Sequence, residues 1–182
     1  MKDISLHITD IVQNSITAGA HTITVEIRRN TQKGTLTIAV VDDGKGMSEE
    51  LRKSVMDPFT TTRTTRNVGL GIPLFLASAE RTGGSLQIES ELGKGTKIVA
   101  VYHETHIDCP PLGDIAQMME LLIVTNADLD FIFICAVDDT AYELDTRVLR
   151  QILGQEVPLS TPEVGIWIKE SLTEGISQTI GG

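Results

Sequence analysis

The sequence predicts an α+β fold, a two-layer sandwich in which helices cover one face of a mixed, mostly antiparallel sheet. Apolar and polar residues alternate in segments such as "HTITVEI" and "GTLTIAVV", which is typical of half-buried strands. These segments occur in neighbouring pairs joined by short polar turns, and helical patterns precede and follow them. With 182 residues and 41% hydrophobic content, the chain is long enough for one sizeable core plus an appendage.

The first predicted element is an amphipathic helix that contains "HITDIVQNSITAGA". Its apolar face repeats at helical spacing and consists of Ile8, Ile11, Val12 and Ile16. A second line of residues, at steps of three and four, is polar and consists of Asp3, His7, Asp10, Asn14 and Thr17. Such a line is usually a solvated face, and the alternative is that it lines a polar pocket.

Turn residues and capping signals predict the other elements of the first part of the chain. Strands are expected at 21–27, 34–41, 85–90 and 96–102, and helices at 48–56 and 70–81. Ser48 is a candidate N-cap, and Gly83 and Gly84 are expected to end the second of these helices. Between the two helices lies the threonine-rich loop "DPFTTTRTTRNVG".

The charge distribution predicts a domain boundary after residue 103. Residues 1–103 carry 12 Lys and Arg against 11 Asp and Glu, whereas residues 104–182 carry 3 against 14. In the acidic part, helices are expected at 111–125, 147–153 and 160–172, with a hairpin of strands at 130–137 and 140–146. No basic stripe interleaved with aromatic residues is present, so direct binding of nucleic acid is not expected.

Hydrophobic runs in the sequence are short. The longest, "FIFICAV", is far too short for a membrane span, and Asp3 and Asp10 fall where a signal peptide needs an apolar block. A cytoplasmic protein without membrane insertion is therefore expected.

The two cysteines, Cys109 and Cys135, are too few for a disulfide framework. The segment "HETHIDC" brings His103, His106, Asp108 and Cys109 close together in sequence, and these are metal-ligand types. Zinc sites usually show paired CxxC or HxxxH spacing, which is missing from this segment. A polar connector that ends at Pro110 and Pro111 is the other interpretation.

Three glycine-bearing segments occur in an informative order: "VVDDGKGM" after a strand, "NVGLGIP" before a helix and "GKGT" in a late turn. Together with the first helix they resemble the ATP-binding boxes of the GHKL ATPases, which include sensor histidine kinases, DNA gyrase, heat-shock chaperones and MutL mismatch-repair proteins. "DIVQNSITAGA" is similar to the N box, especially that of MutL, "DDGKGM" to the G1 box, "DPFTTTR" to the F box of the kinases, "VGLGI" to the G2 box and "GKGTKI" to the last turn. The resemblance covers residues 4 to about 102 and implies the histidine kinase-type ATPase fold for residues 1–103.

The resemblance implies that the ligands are ATP and Mg²⁺, and it assigns roles to matching residues. Asp42 would accept a hydrogen bond from the adenine amine, and Gly44 and Gly46 would let the backbone approach the base. Asn14 would ligate Mg²⁺ through its amide oxygen, and Asp10 would be the catalytic residue that orients or deprotonates the attacking group. The other implied nucleotide contacts are Met47, Thr61, Arg63, Gly69, Leu70, Gly71 and Thr96.

Two departures from the family pattern affect the expected activity. The usual N-box acid is Glu, whereas this chain has Asp10, which is one methylene shorter. In the loop before the G2 box, Arg63 stands where the kinases commonly have lysine, so Arg63 and Arg66 are the cations available to clamp phosphate. Slow hydrolysis of ATP is expected. His7 extends the polar line of the first helix, and a structural role is favoured over catalysis.

The expected function is transfer of phosphate from Mg-ATP to a separate partner protein. In this sequence no helical hairpin with a phosphoacceptor histidine precedes the N box, and no transducer domain follows the ATP module, so a complete sensor kinase is not expected. The alternative is a slow ATPase that acts as an ATP-gated conformational switch without phosphotransfer. The acidic α+β extension, residues 104–182, is expected to pack on the ATP domain and to present an acidic face to a basic partner.

Overall fold

The computed structural model describes residues 3–57, 59 and 69–181. Its elements in chain order are α1 (Ile4–Thr17), β1 (Thr22–Asn30), β2 (Thr35–Asp42), α2 (Glu49–Ser54), α3 (Gly71–Glu80), β3 (Ser85–Glu91), β4 (Gly95–His103), α4 (Ile115–Thr125), β5 (Asp130–Val137), β6 (Thr140–Asp145), α5 (Thr146–Leu153) and α6 (Pro162–Ile180). The strands form one six-stranded sheet in the order β3-β4-β2-β1-β5-β6. Neighbouring strands are antiparallel except β1 and β5, which are parallel. The predicted α+β class with a mixed, mostly antiparallel sheet is confirmed.

The core lies between one face of the sheet and the helices that pack on it. Alternate residues of the two central strands are buried, as the period of two predicts: Ile23, Val25 and Ile27 in β1, and Leu36, Ile38 and Val40 in β2. The apolar face of α1 is buried against them through Ile4, Ile8, Ile11 and Val12. Each such side chain contributes about 1.5 to 3 kcal/mol by leaving water, so this interface holds α1 firmly on the sheet.

Side-chain caps mark where α1 and α2 begin. Asp3 accepts a hydrogen bond from the backbone N–H of Leu6 at 3.3 Å at the start of α1. Ser48 Oγ accepts from the N–H of Leu51 at 3.2 Å at the start of α2, so the predicted cap is confirmed. The cap of α1 therefore provides a partner for one of the N–H groups that the first turn of a helix leaves unbonded.

The last helix is longer than the sequence predicts. Periodicity favoured 160–172, whereas α6 runs Pro162–Ile180. Its buried face continues at helical spacing through Val164, Ile168, Leu172, Gly175 and Thr179. The missing side chain of Gly175 makes room for the ring of Tyr142, with which a Cβ would collide. The prediction was wrong at this end because glycine and threonine lower helix propensity, while packing against β6 stabilises the helix.

The acidic part of the chain continues the same sheet. β5 pairs in parallel with β1 along Thr22–Arg29 and Asp130–Val137, and α4 packs on α1. The N–H groups of Ile4 and Ser5 donate at 2.9 Å to the carbonyl oxygens of Pro111 and Leu112. These bonds satisfy donors that the first turn of a helix leaves without partners. Whether residues 104–182 form a domain of their own stays a prediction.

None of the helices within residues 3–57, 59 and 69–181 is both long and apolar enough to cross a membrane.

A chain that ends at Tyr102 tests how far the predicted ATP domain depends on the acidic part. We expect the shorter chain to be insoluble or molten, because β1 loses β5 as its partner and Ile4 and Ser5 lose their carbonyl acceptors. Near-ultraviolet circular dichroism and calorimetric ATP binding measure this. Adding residues 103–182 as a second chain is the control and should restore both signals. A shorter chain that unfolds cooperatively and binds ATP like the full chain would make the acidic part an independent module.

Candidate functional site

A cavity of about 270 Å³ opens between the second half of α1, the end of β2, the loop 43–47 and the middle of the sheet. Its walls are mainly apolar with a few polar groups, which is typical of a small-molecule site. The lining residues are Ile11, Asn14, Ser15, Thr17, Ala18, Asp42, Lys45, Gly46, Met47, Leu51, Ile72, Thr96 and Ile98. The structure thus brings Asn14, Asp42, Gly46, Met47 and Thr96, all candidates from the sequence, to one cavity.

The carboxylate of Asp42 lies buried at the end of β2, and both of its oxygens accept hydrogen bonds. Oδ1 accepts from the backbone N–H of Gly44 at 2.9 Å, and Oδ2 accepts from the hydroxyl of Ser15 at 2.6 Å. A buried carboxylate is costly unless its oxygens are bonded in this way. These two donors, from different elements, fix the orientation in which Asp42 faces the cavity.

Sequence reasoning missed Ser15 as a site residue. It is buried on the inner side of α1, directly after Asn14, and its hydroxyl bonds Asp42. The only signal in the sequence was a small polar residue next to the apolar face of the helix. Such a residue is common on helices, and its partner lies 27 positions away, so only the fold identifies it.

Asp43, adjacent to Asp42, has a different environment. Its Oδ1 accepts from the backbone N–H groups of His21 at 2.7 Å and Thr22 at 2.9 Å. Partial burial by itself would raise the pKa of Asp43, but these backbone bonds outweigh it and hold the pKa below its usual range. Asp43 therefore anchors the start of β1 and does not line the cavity.

The loop after β2 is held against the β3–β4 turn. Gly46 has a positive φ of 67°, and a Cβ at this position would collide with the carbonyl oxygen of Glu91. The N–H of Met47 donates to Ser90 Oγ at 2.8 Å, and that hydroxyl lies 2.8 Å from Thr96 Oγ1. Only glycine permits the close approach of the backbone at position 46 to the carbonyl oxygen of Glu91. The contacts place Met47 and Thr96 on adjoining walls of the cavity.

The polar line of α1 divides among three environments. Asn14 and Thr17 line the cavity. Asp10, one helical turn before Asn14, lies beside the start of α3, where a Cβ on Gly71 would come within 3.1 Å of the Asp10 Cβ. Asp3 caps the helix, and the buried ring of His7 stacks on Phe75 with centroids 5.3 Å apart. The structural role favoured for His7 agrees with this stacking.

The start of α3 is the candidate phosphate-binding end. Leu70 occupies the N-cap position, and its apolar side chain makes no capping hydrogen bond. Among the residues that the structure describes, none has an atom within 4 Å of a Cβ added to Gly69. N–H groups at a helix start attract anions. Thr61, Arg63 and Arg66, also expected here, lie outside the described residues.

The residues of the segment "HETHIDC", considered above as metal ligands, contact other protein groups. His106 Nδ1 accepts from the N–H of Asp108 at 3.1 Å, and Glu104 pairs with Arg29 at 2.8 Å. Burial raises the pKa of the Cys109 thiol. In the part of the chain that the structure describes, no three His, Cys, Asp or Glu side chains are grouped so that they could hold a metal ion. The contacts agree with a polar connector.

Comparison with known proteins gives the family. The family described as "Histidine kinase-, DNA gyrase B-, and HSP90-like ATPase" matches residues 2–106. Sporulation kinase C of Bacillus subtilis is 36% identical over 87 residues, which are 48% of this chain and 20% of that protein. Sensor histidine kinase AruS of Pseudomonas aeruginosa is 31% identical over 136 residues, which are 68% of this chain and 14% of that protein. The chain thus spans a fifth or less of the length of these relatives.

Structural similarity agrees with this family. The N-terminal domain of a DNA repair protein superimposes with a TM-score of 0.55 at 14% identity, covering 80% of this chain and 53% of that one. At this identity the likeness shows the fold alone. Together with the family match over more than half of the chain, it confirms the resemblance drawn from the glycine-bearing segments. This chain therefore belongs to the histidine kinase-, DNA gyrase B- and HSP90-like ATPases and contains an ATP-binding domain of the histidine kinase-like type.

Proposed function

We propose that this protein transfers the γ-phosphate of Mg-ATP to a separate partner protein. The observation that carries the proposal is the buried Asp42 carboxylate, oriented by Ser15 and Gly44 at the cavity of an ATP-binding domain. Sporulation kinase C and AruS, to which the chain is similar, are kinases by name. Their names support phosphate transfer, although the chain matches only a small part of each.

The cavity fits adenine. In the proposed complex Asp42 accepts a hydrogen bond from the exocyclic amine of the base, and Thr96 supplies a second polar contact. Guanine has a carbonyl oxygen in place of that amine, so a carboxylate would repel it. The faces of the base would lie against the apolar side chains of Met47, Leu51, Ile72 and Ile98. Gly44 and Gly46 carry no side chains, so at these two positions the backbone of the adjoining loop can lie close to the base.

Asn14 and Asp10 fit the preference of Mg²⁺ for hard oxygen ligands. Asn14 lines the cavity, and Asp10 lies one helical turn away towards the start of α3. In the proposed assignment Asn14 holds the ion through its amide oxygen. When bound, the ion would neutralise negative charge on the phosphates. The carboxylate of Asp10 is suited to orient the attacking group and to accept its proton.

The phosphates would extend from the cavity towards the start of α3. Gly69, Leu70 and Gly71 precede or begin this helix, and its positive end favours phosphate oxygens. During transfer, the bond between the γ-phosphorus and the bridging oxygen breaks while a bond to the acceptor atom of the partner forms. ADP leaves, and Asp10 takes the proton of the attacking group.

A second candidate function is an ATP-gated conformational switch without transfer. One observation favours the switch: α1 contacts both the start of α3, where the phosphates would bind, and the acidic part of the chain. Gly71 of α3 lies against Asp10, while Pro111 and Leu112 accept hydrogen bonds from the first turn of the same helix. A shift of α3 on binding of the phosphates would therefore reach the acidic part through one rigid element.

Labelling with γ-labelled ATP decides between the two candidates. The full-length chain is incubated with labelled Mg-ATP and an arrayed set of purified candidate proteins. For a phosphotransferase, the label appears on a partner and not on the chain itself. Slow release of inorganic phosphate with no labelled protein would overturn transfer and support the switch.

Replacement of Asp42 tests the adenine assignment. Asp42→Asn should weaken ATP binding by roughly 1.5 to 3 kcal/mol, because the adenine amine loses a charged acceptor, and GTP binding should change much less. Isothermal titration calorimetry measures both affinities. Equal losses for ATP and GTP would contradict the assignment.

Asp43→Asn is the matched control for this substitution. It removes the same charge one residue away, but Asp43 faces the N–H groups of His21 and Thr22 and not the cavity. Its ATP affinity should stay near that of the unchanged protein, while its free energy of unfolding should fall. An equal loss of ATP affinity in both variants would show that the negative charge of these residues affects ATP binding without direct contact between Asp42 and the base.

Paired substitutions on α1 separate metal ligation from activation. Asn14→Ala should abolish the Mg²⁺-dependent part of ATP binding, because an oxygen ligand is lost. Asp10→Asn should keep ATP binding and remove turnover, because the attacking group loses its proton acceptor. Binding is measured by calorimetry with and without Mg²⁺, and turnover by release or transfer of labelled phosphate. Unchanged turnover in Asp10→Asn would make Asp10 a structural residue.

A further inference from the structure

In the part of the chain that the structure describes, β6 is the last strand at one end of the sheet. β6 pairs with β5 on one side only, and in the described ranges no other strand lies beside it. An edge strand of this kind presents backbone N–H and C=O groups that can pair with an additional strand. The edge lies at the opposite end of the sheet from β3, in the acidic part of the chain.

A groove of about 230 Å³ runs along this edge and is bounded by α5 and α6. It is lined by Tyr142, Glu143, Leu144, Asp145, Val148, Leu149, Ile152, Trp167 and Ser171. Four consecutive residues of β6 contribute, so the groove follows the strand itself. Three of its apolar side chains are unusually exposed: Ile152 at 77%, Val148 at 52% and Trp167 at 51%. Apolar side chains grouped in this way mark an interaction surface.

The two faces of the edge differ in chemistry. Tyr142 and Leu144 point towards α6, since the Tyr142 hydroxyl lies 2.9 Å from Ser171 Oγ and its ring packs on Gly175. Glu143 points to the opposite face, because successive side chains of a strand alternate. A strand added beside β6 would therefore place alternate side chains near the apolar groups and near Glu143.

The charge around the groove is negative. Residues 104–182 carry 3 basic and 14 acidic side chains, a net charge of −11. Two of the three basic groups are engaged, since Arg147 pairs with Asp145 at 2.7 Å and Arg150 with Asp130 at 3.0 Å. Arg147 also interacts electrostatically with Glu143, so it is the surplus of acidic side chains in this part of the chain that favours a basic partner and disfavours a second copy of this acidic chain.

We propose that the outer edge of β6 and its groove bind an extended segment of a partner protein in which apolar and basic residues alternate. The segment pairs its backbone with β6 and extends the sheet by one strand. Its apolar side chains contact Trp167, Val148 and Ile152, and its lysine or arginine side chains face Glu143. This surface is separate from the ATP cavity, so the proposal does not depend on phosphate transfer.

Short peptides test the proposal with the full-length chain. The probes are a panel of seven-residue peptides in which valine or isoleucine alternates with lysine, and the matched controls carry glutamate in place of lysine. Trp167 is the single tryptophan of the chain, so its emission reports occupation of the groove. Binding should shift this emission to shorter wavelength and slow hydrogen exchange of the β6 amides. The glutamate peptides should do neither.

Two matched substitutions locate the contact. Ile152→Asp places a charge in the groove, whereas Ile107→Asp makes the same change at a residue that is 94% exposed and lies outside the groove. Ile152→Asp should weaken peptide binding at least about tenfold, and Ile107→Asp should leave it unchanged. Both residues are exposed, so both variants should fold, which the circular dichroism melting curve checks.

Four results would overturn the proposal. One is the absence of binding throughout the lysine panel, and another is binding without protection of the β6 amides, which would indicate a helical ligand. Equal effects of Ile152→Asp and Ile107→Asp would place the contact elsewhere. Sedimentation that shows a dimer of the unchanged chain and a monomer of Ile152→Asp would assign the edge to a second copy.

Discussion

The burial of one carboxylate determines the geometry of the site. Asp42 sits at the end of a central strand, where an unbonded charge would destabilise the fold by several kcal/mol. Its two oxygens are satisfied by Ser15 from α1 and by Gly44 from the loop that follows β2. Both elements must therefore approach the strand end closely. The same approach brings two residues to the cavity: Asn14, which directly precedes Ser15, and Met47, which lies further along the loop that contains Gly44.

The neighbouring aspartates show that environment and not residue type decides a role. Asp42 faces a cavity through a hydroxyl and one backbone donor, whereas Asp43 turns to the start of β1 and binds two backbone N–H groups. The backbone bonds to Asp43 lower its pKa, and they anchor the start of β1. Adjacent side chains on an extended backbone point in opposite directions, which separates the two functions.

Helix α1 connects the parts of the molecule to which the proposals refer. Its second half borders the candidate ATP cavity, its middle lies against α3, and its first turn donates to Pro111 and Leu112. The proposed strand-binding edge is further away, beyond β1 and β5 in the same sheet. From α1, packing continues through α4 to α6, which borders that edge. A continuous set of packed helices thus lies between the two surfaces.

The sequence by itself determined the fold class, nearly every strand and helix, and the family. Periodicity located β1 and β2 within a few residues, because one face of each strand is apolar and the other polar. The glycine-bearing segments identified the ATP-binding domain through their resemblance to the boxes of a known family, and at Gly46 the structure shows a close backbone approach that only glycine permits. The candidate residues Asn14, Asp42, Met47 and Thr96 also came from these local patterns, and the structure places all four at one cavity.

Tertiary structure alone decided the contacts between distant segments. Three contacts join residues that are far apart in sequence and whose local patterns give no sign of the pairing. They are the bond from Ser15 to Asp42, the parallel pairing of β5 with β1, and the stacking of His7 on Phe75. It also decided the end of α6, where packing of Gly175 on Tyr142 outweighs a weak helix propensity. Local sequence encodes the spacing of apolar faces and turns, whereas the choice of which faces meet depends on the burial energy of the whole chain.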